Sequence, residues 1–297
     1  MNLVTVCKLA RISNLPTVWS NVLCAMVLSQ AQPSLINALL VFVAMSLAYI
    51  GGMFLNDAVD AEWDKKNAPS RPIARGEAER KSVFIMALLC LVLTPIVLCF
   101  LEPDPGVNKT YALWSSLCLL FFIGLYNWCH KWFQYNSGLM GICRGMLYIT
   151  TALALGDISW LFLFAVLSVV FYIIGLTRLA RSEHLNIFAT DALSNLNFPS
   201  VSVLLLVSPL IYSIYVGYHF LLMWLVVSIL MFWIAWQIKQ YFLSETRNVK
   251  AGIGGLLAAI PLIDASLLAS HNAAMEVLFC IGLFLIMPRL HQWVAGT

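Results

Sequence analysis

Four side chains at the end of an apolar run carry the chemistry of this chain. Asn56, Asp57, Asp60 and Asp64 follow directly on the uncharged stretch from Leu39 to Leu55. At about 100° per residue they fall within roughly a 100° arc of one helix face, and Glu62 points to the opposite side. Three carboxylates and an amide on one stripe make an all-oxygen ligand set. Such a set suits a hard divalent cation, above all Mg²⁺, which usually shares its coordination sphere with phosphate. Asn56, Asp57, Asp60 and Asp64 are therefore the candidate metal ligands, and the three Asp the candidate catalytic groups. A solvated helix end is the alternative use of such charges, but it needs no alignment of all three Asp. Ionisable residues at the edge of a membrane span are costly and point to function by default.

The next segment, Lys65 to Glu77, is basic and bent by Pro69, Pro72 and Gly76. Arg offers a planar fork of donors for phosphate oxygens and Lys a point charge, so Lys66, Arg71 and Arg75 are candidate phosphate ligands. Part of this charge also serves membrane topology, and Arg80 and Lys81 read as interfacial anchors. Arg144 lies about two turns inside an apolar segment, where it either points toward the phosphates or snorkels to the interface. Asp264, deeper still, is either a protonated packing residue or part of a cavity.

The elements that must hold these groups are membrane helices. Hydrophobic residues make up 61% of the chain and charged residues 10%, with mean hydropathy +0.87. A soluble domain carries roughly 25% charged residues, and continuous apolar blocks exclude a β-barrel. Ten spans are expected, near 14–30, 35–56, 82–101, 110–128, 138–155, 157–179, 199–218, 220–241, 252–270 and 273–290, the tenth being the weakest. They form one domain, residues 1–297, because the longest polar segment is the loop from Ala61 to Lys81. With the N-terminus inside, nearly every loop cation falls on the cytoplasmic side, and Lys109 alone lies opposite. The mouth of the site is expected on that same face. A net charge of +3 implies no nucleic-acid partner. The eight Cys include no C-x-x-C pair and suggest neither zinc nor a disulfide framework.

Asn-Asp-x-x-Asp-x-x-x-Asp at the end of the second span, followed by Arg71-Pro72-Ile73-x-x-Gly76, resembles the UbiA superfamily of intramembrane prenyltransferases. Leu9 to Thr17, leading into the first span, is similar to that family's opening. The resemblance implies an all-α polytopic bundle around a central cavity, with nine family-like spans plus a tenth. It implies Mg²⁺-assisted transfer of a prenyl group from a polyprenyl diphosphate to an aromatic or other lipophilic acceptor. Asn56, Asp57, Asp60 and Asp64 would then hold Mg²⁺-diphosphate, with Arg71 and Arg75 on the phosphates. Asn21, Tyr126 and Tyr172 become candidates for the prenyl and acceptor pocket, although an interhelical hydrogen bond is the commoner role for such an Asn.

One departure stands out. The family usually carries a second Asp-rich motif near the end of span six, where this chain reads Gly175 to His184 with no D-x-x-x-D. Arg178 and Arg181 share a helix face there and are candidates to replace a metal's charge at the diphosphate or to bind an acidic acceptor. Glu183 is a candidate lone metal ligand. This pattern is similar to a divergent branch that includes the UbiA-like members of ebo-type clusters. The alternatives are a catalytically altered prenyl-diphosphate-binding scaffold or a transporter of a lipophilic metabolite. A phospho-alcohol transferase is disfavoured, since the chain lacks D-G-x-x-A-R.

Overall fold

The third helix is too long for the membrane it crosses. In the computed structural model, which describes residues 1–129, 136–182, 197–216, 221–243 and 248–293, helix α3 runs unbroken from Leu35 to Asn67, 33 residues. At 1.5 Å per residue that is about 50 Å, against roughly 30 Å of hydrocarbon. The last dozen residues, beginning at Asn56, therefore overrun the apolar layer. The Ser34 side chain caps its start by accepting from Asn37 N–H at 3.3 Å.

Before α3 come a short helix α1 (Leu3–Leu9), a 3₁₀ turn at Ile12–Asn14 and α2 (Leu15–Leu28), with Pro16 in the first turn of α2. After it come α4 (Arg80–Cys99), α5 (Lys109–Cys129), α6 (Asn136–Leu155) and α7 (Trp160–Ser182). The seventh expected span is two helices, α8 (Asn197–Leu206) and α9 (Ser208–Val216), broken next to Pro209. Helix α10 (Leu221–Gln237) ends in a π turn at Ile238–Phe242. The ninth expected span is likewise broken, into α11 (Val249–Ala258) and α12 (Ile260–Ala269), with Pro261 in the first turn of α12. Proline cannot donate to the preceding turn, which explains both interruptions. Helix α13 covers Ala274–Trp293. Eight described helical segments are long and apolar enough to cross a bilayer, and Ile12–Leu28 is a shorter apolar one.

Helix α2 packs on α3, α6, α12 and α13, so the chain's first apolar helix becomes a shared wall. One core cluster fills the space among α2 to α6, and a larger one joins α2, α6 and α7 to the later helices. All ten residues of α12 are buried. A third cluster lies under the overrunning end of α3. Phe54, Ala58 and Ala61 pack there with Leu9 and Ala10, with Ile73 from the basic loop, and with Val83 and Ala87 of α4. The polar stripe of α3 and this apolar stripe are adjacent faces of one helix.

On the far face, Asp104 Oδ2 accepts from Ser34 N–H at 2.7 Å and from Asn37 Nδ2 at 2.9 Å. These bonds, led by the Ser34 backbone, hold the Asp104 carboxyl below its ordinary range. On the near face, His291 Nε2 meets Asn14 Oδ1 at 2.8 Å, so α13 ends beside the start of α2.

Helices α6 and α7 meet through Gly141 and Gly145, one turn apart. A Cβ at Gly141 would lie 2.9 Å from the Val170 carbonyl oxygen, and one at Gly145 would lie 2.8 Å from the Val170 side chain. Small residues at this spacing let membrane helices approach closely. Gly141→Leu is expected to lower apparent stability by about 1–3 kcal/mol through overpacking. Gly138→Ala, with nothing within 4 Å of its Cβ, is expected to be neutral or slightly stabilising. Thermal unfolding of both variants in one detergent checks the contrast.

Candidate functional site

The helical stripe expected from spacing exists, and it is enclosed. Asn56, Asp57, Asp60 and Asp64 are between 2% and 8% exposed, although they lie beyond the apolar part of α3. What encloses them is cationic. Arg71 Nη1 sits 3.0 Å from Asp57 Oδ1 and 3.4 Å from Asp64 Oδ2, joining carboxylates two turns apart. Arg11 Nη2 lies 3.5 Å from Asp57 Oδ1 and 3.5 Å from Asn56 Oδ1. Within the stripe, Asn56 Nδ2 reaches Asp60 Oδ2 at 3.4 Å.

Arg71 reaches the stripe because the basic loop folds back. The Ala68 N–H donates to Asp64 O, the Arg71 N–H to Ala68 O and the Arg75 N–H to Arg71 O. Ile73 is buried beneath the loop, and Gly76 turns the chain at φ 76°. Arg11 has the left-handed backbone, φ 43°, that leads into the 3₁₀ turn before α2. The Tyr49 hydroxyl donates to Arg11 O at 3.3 Å. Burial opposes the Arg11 charge most strongly of any single cause, but Asp57, Tyr49, Tyr126 and Asp64 together outweigh it and raise the guanidinium above its ordinary value. In the sequence Arg11 belongs to the family-like stretch Leu9 to Thr17 and to the loop cations, with no site role of its own. Its place just before the Pro16-started helix, at the same rim as Asp57, was the available signal.

Other expected residues go elsewhere. Arg75 turns to Glu77, with Nε 3.1 Å from Oε1, and Lys66 is exposed at the end of α3. Arg178 Nε donates to Ser202 Oγ at 3.4 Å, between α7 and α8. Glu183 and the side chain of Arg181 lie outside the described residues. Tyr126 lines an apolar chamber between α3, α5 and α6, with Tyr49, Gly52, Met53, Leu119 and Arg144. Tyr172 does not reach it: its hydroxyl donates to Leu256 O at 2.8 Å in the packed contact of α7 with α11. Asn21 is also a correction. It is fully buried and bonds Tyr148, Asp264 and Arg144, which is an interhelical role rather than a pocket wall. Arg144 Nη1 donates to Thr17 Oγ1 and Asn21 Oδ1 rather than to any stripe residue.

A family model for the UbiA prenyltransferase family matches residues 15–253. The chain belongs to the UbiA prenyltransferase family. It is a multi-pass integral membrane protein. Among curated relatives it is similar to the digeranylgeranylglyceryl phosphate synthase of Methanococcoides burtonii, 39% identical over 101 residues, 32% of this chain and 34% of the relative. It is also similar to that of Thermococcus kodakarensis, 40% identical over 77 residues, 26% and 27% of the two chains. The matched stretches thus span about a third or less of those relatives. A solved UbiA homologue from Archaeoglobus fulgidus, bound to DMAPP and Mg²⁺, has TM-score 0.63 at 12% identity over 95% of this chain and 99% of that one. A structure concerning digeranylgeranylglyceryl phosphate synthase in membranes has TM-score 0.60 at 20% identity, covering 92% and 98%. These two likenesses are ones of fold.

The UbiA-family stripe fits Mg²⁺ by donor chemistry. The donor atoms it offers a cation are all hard oxygens, and Asp64 Oδ1 is buried without a hydrogen-bond partner. Among the described residues no three His, Cys, Asp or Glu side chains converge into a ready-made cage. Mg²⁺ does not ask for one, since it commonly takes one or two carboxylates and completes its shell with water and phosphate.

The ion pairs make a direct prediction. Arg71→Ala is expected to lower stability by about 1–3 kcal/mol, because two buried carboxylates lose a shared donor. Adding Asp57→Asn is expected to recover most of that loss by removing one of the exposed repulsions. Arg75→Ala is expected to stay within about 0.5 kcal/mol of wild type. Thermal unfolding of the three variants tests the pairing.

Proposed function

We propose that this protein transfers a prenyl group from a prenyl diphosphate to a lipophilic acceptor, with Mg²⁺ at the α3 stripe. The observation that carries the reading is the buried stripe of Asn56, Asp57, Asp60 and Asp64, crossed by Arg11 and Arg71. Beside it an apolar chamber starts three residues before Asn56 along α3, at Met53. The family membership and the fold likeness to a homologue bound to DMAPP and Mg²⁺ support it.

The stripe residues bind and orient the head group. Arg11 and Arg71, already beside the carboxylates, are placed to exchange part of those contacts for diphosphate oxygens. Their donors then counter the negative charge that grows as the allylic C–O bond breaks and the diphosphate keeps the electron pair, an electrostatic form of transition-state stabilisation. Bound Mg²⁺ supplies further charge neutralisation at the leaving oxygens. The allylic carbon is captured by a nucleophile of the acceptor, which afterwards loses its proton. Leu119, Ile123, Met140 and Leu147 of the chamber wall keep water from the cation. The same face carries nearly all the loop cations, so we place the mouth in the cytoplasm.

The chain lacks a second acidic cluster in the described end of α7, and Arg178 stands there instead. Arg178 is turned to Ser202, so the arginine charge at the stripe comes from Arg11 and Arg71.

The test is diphosphate release by purified protein with Mg²⁺, geranyl or geranylgeranyl diphosphate and a panel of lipophilic acceptors. Turnover is expected, abolished by EDTA and restored by Mg²⁺. Asp60→Asn is expected to lower kcat by about 10²–10³, the usual cost of one transition-state electrostatic group. No release with any acceptor, or Asp60→Asn turning over at the wild-type rate, sinks the reading.

A further inference from the structure

Beyond the acidic stripe, the bundle holds a second charged cluster, in which Asp264 and Asn21 are buried and Arg144 is half-buried. Asp264 lies in the middle of α12 with no exposure. Its Oδ2 accepts from Asn21 Nδ2 at 2.7 Å, and its Oδ1 accepts from the Tyr148 hydroxyl. The other Asn21 Nδ2 hydrogen goes to the Tyr148 oxygen at 2.7 Å. Both amide hydrogens of Asn21 are thus committed. Its Oδ1 is left to accept from Arg144 Nη1 at 2.6 Å, and the same Nη1 reaches Thr17 Oγ1 at 3.3 Å.

The network has a direction. A carboxylate only accepts, so Asp264 fixes which way the Asn21 amide faces and thereby where the Arg144 guanidinium is held. Burying the Asp264 carboxylate costs several kcal/mol even after relaxation. Helix packing alone does not call for that cost, and ionisable groups at membrane depth are functional by default. Arg144 is the end of the network that opens onto the chamber. Its Nε and Nη2 donate to no protein group among the described residues. On α3, Gly52 and Met53 share the chamber with Arg144. They precede Asp57 by five and four residues, about 6–8 Å along the axis. Arg144 therefore lies on the membrane side of the stripe, off the diphosphate ligands. An isoprenoid tail offers nothing to uncommitted N–H donors at that level. An anion does.

We propose that Arg144 is a second anion-binding position, which takes the carboxylate or phosphate monoester of the acceptor, and that Asp264 is a positioning residue acting through Asn21. The acceptor's role rests on the prenyl-transfer reading; the anion site does not.

The experiment uses the full chain in detergent micelles, with phenyl phosphate and benzoate as anionic probes and benzyl alcohol as the neutral one. Binding is measured with and without saturating Mg²⁺ and geranyl diphosphate, whose own affinity is measured separately. An anionic probe is expected to bind wild type and benzyl alcohol is not. Arg144→Gln is expected to weaken the anionic probe by about tenfold or more, the worth of a charged hydrogen bond, and geranyl diphosphate by less than about threefold. Asp264→Asn is expected to weaken the probe in wild type and to add nothing in the Arg144→Gln background, the non-additivity of two residues acting as one.

Equal binding of neutral and anionic probes, or no anionic binding at all, overturns the proposal. So does an equal loss of geranyl diphosphate in Arg144→Gln, which would return Arg144 to the diphosphate site. Additive losses would reduce Asp264 to helix packing. If geranyl diphosphate fails to bind wild type while Arg144-dependent anion binding persists, the prenyl-transfer reading falls and the anion site stands.

Discussion

Three carboxylates within two turns of one helix repel one another, and much of the near face is arranged around that repulsion. At about 4 Å and an effective dielectric near 20, a like-charge pair costs about 4 kcal/mol. Arg71 answers by bridging Asp57 and Asp64, and Arg11 answers at the same Asp57 oxygen. For Arg71 to reach, the loop after α3 must fold back on Ile73 and turn at Gly76. For Arg11 to reach, the chain must pause in a left-handed residue and a 3₁₀ turn before α2. The apolar patch of Leu9, Phe54, Ala58, Ala61 and Val83 holds those segments against α3. Charge and packing on adjacent faces of one helix thus fix each other.

The bundle holds polar groups at two depths. At the rim, guanidiniums face a carboxylate stripe on the overrun of α3. Deeper, one guanidinium and one carboxylate are joined through a single amide between α2, α6 and α12. Arg144 of the deeper level lines the chamber, whose remaining lining is mostly apolar. Helix α6 connects them in a mechanical sense. Its Gly141 and Gly145 seat it closely on α7, and Arg144 between them is directed to α2. A change in that seating would shift Arg144 and, through Asn21, the whole deeper network.

Much of the architecture was legible in hydropathy, because a bilayer tolerates few alternatives to long apolar helices. The stripe was legible as well, since helical periodicity depends only on spacing. Span edges were less so: α3 continues well past the apolar run because its polar end is still helical. Arg75 and Arg71 look alike in sequence, yet one turns to Glu77 and the other to the stripe. Tyr126 and Tyr172 look alike too, and only the first reaches the chamber.

The sequence by itself determined that this is a polytopic helical membrane protein with one oxygen-rich, cation-seeking helix face and an adjacent basic loop. Those properties follow from composition and from spacing along a single helix. The tertiary structure alone decided which cations meet that face, and it recruited Arg11 from 46 residues before Asp57. It alone joined Asn21, Arg144 and Asp264, up to 243 positions apart, into one hydrogen-bonded chain. Contacts between helices depend on crossing angles and on the rotation of each helix about its axis, and neither is written in the periodicity of any one segment.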